Sequence, residues 1–253
     1  MSIKSAMQKI CSYSCGCPEP AWDKSSSGLC IFHDHGNSID SGCVDVVWNA
    51  ARSKSRTTDV DFSGWHFPVD DEGFKGAVFN GSVDFSNAVF DGAVRFLGVV
   101  FKNRAKFDGV TFNGHARFWH SIFEKVVSFE SVTFRGEAEF GGARFTDRAL
   151  FNHSCFRHLG GFGGVVFEND AEFRDASFRA LADFEGAVFK KTAIFEQVQF
   201  KKNANFSRSV IESYFMLEGA VFNGPPMFDG ITLQQGHNAV LGITPEMRKL
   251  IAL

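Results

Sequence analysis

From Phe74 to Phe206, phenylalanine recurs at alternating steps of five and six residues without a miss, twenty-five in all. The stretch DFSNAVFDGAVRF, residues 84 to 96, shows the rule: Phe85, Phe90 and Phe96, with Ala88 and Val94 each two residues ahead of a Phe. Two steps sum to eleven, which as a helix would mean about 3.67 residues per turn. Composition rules that out. Units such as FNGSVDFSNAVF and FRGEAEFGGARF are rich in Phe, Val, Gly, Asn and Asp, residues poor in helix interiors and frequent in short strands and turns. A small residue two before each Phe puts both side chains on one side of an extended segment, with the residue between them outward. Each unit is therefore a three-residue extended piece followed by a turn of two or three residues. Such pieces bury their inward side chains only by stacking into a solenoid.

Thirty-one Phe stand beside two Tyr and four Trp, so one aromatic type is required at particular places, as a repeat requires and a generic core does not. A net charge of -3 argues against a surface for polyanions, which need a basic excess; nucleic acid is not expected as a partner. No apolar run approaches the roughly 20 residues that span a bilayer, and MSIKSAMQKICSYSC carries no apolar core of signal-peptide type. The expectation is a cytoplasmic protein without a membrane partner. No nucleophile motif, phosphate loop or metalloprotease helix is present, and glycine stretches such as GGFGGVVF, residues 160 to 167, read as turns of the solenoid. Neither an enzyme nor a small-molecule substrate is expected.

The alternation of A-x-F-x-x with A-x-F-x-x-x resembles the pentapeptide-repeat proteins, in the variant with a central Phe and every second turn lengthened by one residue. The resemblance covers about residues 60 to 233. It implies an all-β solenoid, a right-handed quadrilateral β-helix with the Phe and the small residue inward. Steps of five, six, five and six make a coil of 22, so Phe74, Phe96 and Phe118 head one column and Phe85, Phe107 and Phe129 the opposite one. The inward positions from Phe62 to Leu233 make about eight coils, a rod of roughly 35 to 40 Å at the strand spacing of about 4.8 Å. Each buried ring contributes ~2 to 3 kcal/mol before entropy is charged, and no room is left inside for a ligand. The register weakens late: Ile211 and Leu217 replace Phe, Phe215 stands where earlier coils have a small residue or Val, and Pro225 and Pro226 follow. A distorted final coil is expected. Residues 234 to 253 read as a C-terminal cap, with Thr244 as N-cap and Pro245 at the first position of a short helix.

Ahead of the repeat, residues 44 to 59 read as a capping helix and linker, with Val44, Val47, Trp48 and Ala51 at helical spacing. Residues 1 to 43 hold five of the six cysteines. Twelve residues separate Cys17 from Cys30, and CIFH adds His33; two close pairs of soft ligands at that separation suit tetrahedral zinc. The segment is also similar to the small Cys-rich module that precedes some Phe-type pentapeptide repeats. Carried over residue by residue, that resemblance implies Cys11, Cys17, Cys30 and His33 as ligands of a closed, structural zinc. Cys15 is an alternative to Cys11 or Cys17, and free thiols or disulfides are the competing readings of the cluster.

On the exterior, the residues just before the Phe of one face are Val78, Val100, Ile122, Arg144, Val166, Val188 and Val210. Six aliphatics in seven coils predict a continuous apolar stripe, a candidate surface for a protein partner or for homodimer formation. The equivalent positions of the opposite face, Val89, Thr111, Thr133 and Cys155 among them, make no such stripe. Arg117 with Glu139, and Asp84 with Lys106, are expected to pair across coils. The functional expectation is a non-enzymatic scaffold or interaction module. The alternative is a DNA mimic that inhibits an enzyme such as a topoisomerase; it needs a strongly negative surface, and residues 60 to 233 hold 22 acidic against 18 basic residues.

Overall fold

The computed structural model describes residues 41–54, 59–70, 72–234, 240–243 and 249. Cys11, Cys15, Cys17, Cys30 and His33 lie outside the described residues, as does the expected C-terminal helix apart from one residue. Among the described residues the helix α1 (Ser41–Lys54) is followed by two-residue strands that assemble into four parallel sheets of nine, six, eight and eight strands. The result is an all-β solenoid of about eight turns. The sheets are named here by their first strands: those beginning at Val60, Val94, Val78 and His66.

Partners in the first coil lie 23 residues apart, as Val60 with Val83 and His66 with Val89. From Val78 with Val100 onward the spacing is 22. Inward Phe side chains therefore stack ring on ring. Phe96, Phe118, Phe140 and Phe162 are 4.5, 4.8 and 4.9 Å apart and nearly parallel. Phe107, Phe129 and Phe151 make the second column at 4.6 and 4.9 Å. Between columns the rings meet edge to face, Phe107 against Phe118 at 5.7 Å and 89°. Stacked and T-shaped contacts both satisfy the ring quadrupole, so the same residue serves along the axis and across it. The inward Ala and Val fill the gaps and are buried, apart from Ala77 and Ala220 near the two ends, which are half-buried.

The five-residue and six-residue steps make different corners. In the short step the N–H of Ala88 donates to the carbonyl of Phe85 at 2.9 Å, and Asn87 has φ of 59°. This β-turn needs a left-handed residue at its third position. The same requirement recurs every eleven residues, met by Gly at positions such as 98, 109 and 142 and by His120, Ser131, His153, Asp175, Gln197 and Arg208 elsewhere. After three of these turns the inward small residue is a serine. Ser121, Ser154 and Ser209 are buried, and each Oγ donates to the carbonyl of the Phe three residues back, at 2.7 Å. A hydroxyl thus replaces a methyl without leaving an unpaired polar group in the core.

The two ends are built differently. At the N-terminal end α1 lays Val47, Trp48 and Ala51 on the first coil, all buried. The Trp48 indole packs on Phe67 and Phe74 at 5.2 and 5.3 Å, and its Nε1–H donates to the Pro68 carbonyl at 2.9 Å. Arg52 holds the helix down, donating through Nη2 to both carboxylate oxygens of Asp70 at 2.9 and 2.7 Å and through Nε to the Gly73 carbonyl. At the other end the ladder keeps its register further than expected. Phe215 pairs with Ala193 and is buried, Ile211 pairs with Leu233, and Phe228 still stacks on Phe206 at 5.6 Å. Irregularity begins only afterwards: Phe215 pairs with Val240, 25 residues on, and Met227 makes an isolated bridge to Asn205.

Candidate interaction surface

With the interior packed by rings, chemistry and recognition fall to the outward side chains, which the 22-residue coil arranges as ladders. In the Val78 sheet, Cα pairing runs Val78 to Val100, Val100 to Ile122, Ile122 to Arg144, Arg144 to Val166, Val166 to Val188 and Val188 to Val210. All seven residues of the expected stripe therefore stand one above the next, and Thr232 extends the ladder by one. Val78 and Ile122 are 40% and 36% exposed, and the other four aliphatics are half-buried by their neighbours. Arg144 interrupts the run and is tied to Glu168 of the next coil, which Lys190 approaches from the other side at 3.8 Å.

Of the other sheets, the Val60 sheet carries a mixed ladder that turns apolar late, through Ile194, Met216 and Leu241, and the remaining two are mainly polar. The Val94 sheet carries Arg95, Arg117, Glu139, Gly161 and Asp183 in register. Arg117 Nε donates to Glu139 at 3.0 Å, as the coil spacing predicts. Lys106 lies 4.0 Å from Asp84, but its shorter contact, 3.6 Å, is with Asp108. Burial holds the Asp183 carboxyl above its ordinary pKa, and the Asn205 amide that donates to it at 3.0 Å offsets part of that shift. An exposed pair such as Lys106 with Asp84 contributes only a few tenths of a kcal/mol.

One exterior feature is not announced by the Phe rhythm. Trp119, 40% exposed, occupies the corner between the Val94 and Val78 sheets, one tight turn ahead of Ile122. With Leu97 on the coil below and Arg95, Arg117 and Glu139 beside it, it lines a depression of about 230 Å³. The indole lies against Gly141, the corresponding turn residue of the next coil. A Trp where most other turns place a polar residue or Gly is the signal that would have found it.

Among the described residues, no group of three or more His, Cys, Asp or Glu side chains is placed to hold a metal ion, and no helix is long and apolar enough to cross a membrane. His120 and His153 sit at tight turns on different corner ladders. The residue above His120 is Gly142, whose Cβ position lies 2.7 Å from the imidazole, and the residue above His153 is Asp175, at 3.8 Å. Cys155, on the outer side of the His66 sheet, is a free thiol.

A family model described as pentapeptide repeats, nine copies, matches residues 74–122 and 162–210. Both matched stretches lie within the regularly wound part, and residues 123–161 between them continue the same 22-residue pairing without a break. No curated protein and no solved structure matches the chain.

Proposed function

We propose that this chain, which contains pentapeptide repeats, is a non-enzymatic scaffold: a right-handed, quadrilateral β-helix whose outer surface is its working part. The observation that carries this reading is the division of labour between inside and outside. The core is filled by Phe columns, whereas one sheet of four carries aliphatics at six of its eight outward positions, two of them exposed and four half-buried. Contiguous exposed apolar surface is a costly feature for a chain that binds nothing. The Val78 sheet, through Val78, Val100, Ile122, Val166, Val188 and Val210, is the proposed partner surface. The mixed signs of the polar ladders do not favour mimicry of duplex DNA.

The test compares Val100→Lys with Val166→Lys against Thr111→Lys with Thr133→Lys on the His66 sheet. The first double variant is expected to change the sedimentation behaviour or the set of proteins recovered with the chain, and the second to change neither. If the first also leaves both unchanged, the stripe reflects only the preference of β-branched residues for extended backbone.

The proposed N-terminal module holds a structural zinc through Cys11, Cys17, Cys30 and His33, with Cys15 as an alternate to Cys11 or Cys17. Three thiolates and one imidazole form a closed soft donor set suited to that ion and leave no position for a reacting water. The proposed location is the cytoplasm, where such thiols stay reduced. Purified protein is expected to carry one equivalent of zinc that Cys30→Ser removes; equal zinc in both would reject the site.

A further inference from the structure

We infer that the Val78 sheet pairs with the Val78 sheet of a second copy of this chain, antiparallel and over all eight strands. This rests on the reading of that sheet as an interaction surface and specifies its occupant.

The sheet presents two outward ladders side by side. One is the aliphatic stripe. The other consists of the residues that follow each inward Phe, which remain in the ladder: the N–H of Lys102 donates to Phe79, of Glu124 to Phe101, of Lys190 to Phe167. A two-fold axis in the contact plane, along the strand direction, reverses the order of coils and lays each ladder over its own copy. With the axis between the fourth and fifth of the eight strands, Lys102 faces Glu212 and Glu124 faces Lys190, each twice by symmetry. Asn80 faces Gln234 and Thr146 faces Glu168. Within these two ladders no like charges meet; at the corner that follows the sheet, Lys125 faces Lys191, the one like-charge contact of this register. Sliding by one coil ruins this match. In one direction Lys102 falls on Lys190 and Glu124 on Glu168; in the other Glu124 falls on Glu212 and Glu168 on itself. The charge pattern thus both favours the full-overlap register and penalises its neighbours.

The same axis matches the corner that precedes the sheet. His120 and Arg208, the bulky left-handed residues of that ladder, face Gly186 and Gly98, and Lys75 faces Asp229. It also accounts for the one charge in the stripe. Arg144 stands next to the axis with its intrachain partner Glu168, so two Arg–Glu pairs meet at the centre while aliphatic residues cover the rest. The rings beneath the sheet hold a constant stacking from Phe79 to Phe189, successive pairs being tilted by 2°, 4°, 0°, 12° and 14°. Seven strand spacings give a length of about 34 Å, and a width of five residues gives roughly 16 Å. The overlap is then about 500 to 600 Å² per copy, at the low end for specific association, so a reversible dimer in the micromolar range is expected.

Sedimentation equilibrium of the full chain tests this with Glu124→Lys and Lys190→Glu. In one chain these residues are three coils apart and do not touch, but each variant alone places like charges opposite each other twice in the dimer. Each is expected to weaken dimerisation at least tenfold; Lys190→Glu also loses its 3.8 Å contact with Glu168 and is expected to melt slightly lower, an intrachain effect that mixing the variants cannot restore. An equimolar mixture is expected to dimerise as the wild type does, because both contacts are then opposite in sign. A mixture no better than the single variants overturns the register. A wild-type chain that stays monomeric to millimolar concentration overturns the second copy as occupant. If Val100→Lys with Val166→Lys then still loses recovered partners, the interaction surface survives; if that variant dimerises like the wild type, both readings fail.

Discussion

Phe215 sits directly above Ala193 in the ladder of the Val60 sheet, a ring over a methyl. Two residues on, the relation is inverted, because Leu217 takes the position that Phe195 holds one coil below. The Phe215 ring turns into the space Leu217 leaves, meeting Phe195 edge-on at 5.7 Å and Phe206 at 5.3 Å. The aromatic column is continued from the neighbouring inward position. Phe215→Ala is therefore expected to cost about 3 to 4 kcal/mol. Adding Leu217→Phe, which returns the coil to the regular pattern, is expected to recover at least ~1 kcal/mol of that loss. Denaturant unfolding of the single and double variants checks it.

Gly160 occupies an inward position where its ladder neighbours are Ala138 and Ala182. By pattern alone, Gly160→Ala looks stabilising. In the fold a Cβ there would lie 2.6 Å from the Phe178 ring, which has moved in over the missing methyl and stacks on Phe156 at 4.4 Å. The substitution is expected to destabilise by about 1 to 3 kcal/mol through overpacking, measured as a lower unfolding midpoint.

Gln197 holds φ of 58° at a tight turn where Gly serves in other coils. The left-handed conformation costs an ordinary residue about 1 kcal/mol. Gln197→Gly is expected to raise the melting temperature by about 2 to 4 °C. Gly164→Ala, at the same kind of turn with φ of 62° and no atom near its Cβ position, is expected to lower it, through backbone strain alone.

The Asp183 carboxyl is raised above its ordinary pKa mainly by burial. An acid whose folded pKa exceeds its unfolded pKa binds more protons in the folded state, so its ionisation opposes folding as pH rises through that range. Asp183→Asn retains an acceptor for the Asn205 amide and for the Glu185 N–H, which donates to Asp183 at 3.1 Å. The variant is expected to melt higher than the wild type at neutral pH, with the difference shrinking as pH falls below the carboxylate range. Thermal melts across pH, with a difference that grows in acid, would contradict this.

The coil is legible in the sequence because rings stacked on rings repeat the same residue coil after coil, so the centre of each inward pair from Phe74 to Phe206 is marked by one letter. The stripe is legible for the same reason: once the coil is 22 residues, Val100, Ile122 and Val166 fall into one ladder by counting. Trp48 is legible as a cap through its helical spacing with Val47 and Ala51. The tight corners are not. Their left-handed position accepts Gly, Asn, His, Ser, Asp, Gln and Arg, because the turn hydrogen bond and the coils above and below impose the conformation whatever the side chain. Nor could spacing show that Phe178 fills the void at Gly160, or that Ser121 returns its hydroxyl to its own turn. Those depend on where rings and hydroxyls settle after the coil is wound. The proposed partner surface is legible as a pattern, and its proposed complementarity to itself emerges only when the residue after each Phe is placed beside the residue before it.

The most direct test of the central claim, that the Val78 sheet is the working face of this rod, is hydroxyl-radical footprinting of the full chain at low and high concentration and in native extract. Protection of Val100, Ile122, Val166 and Val188 at high concentration or in extract, with Val89 and Val221 on the opposite sheet labelled equally throughout, is the predicted result. Equal labelling of both sheets under all conditions would contradict it.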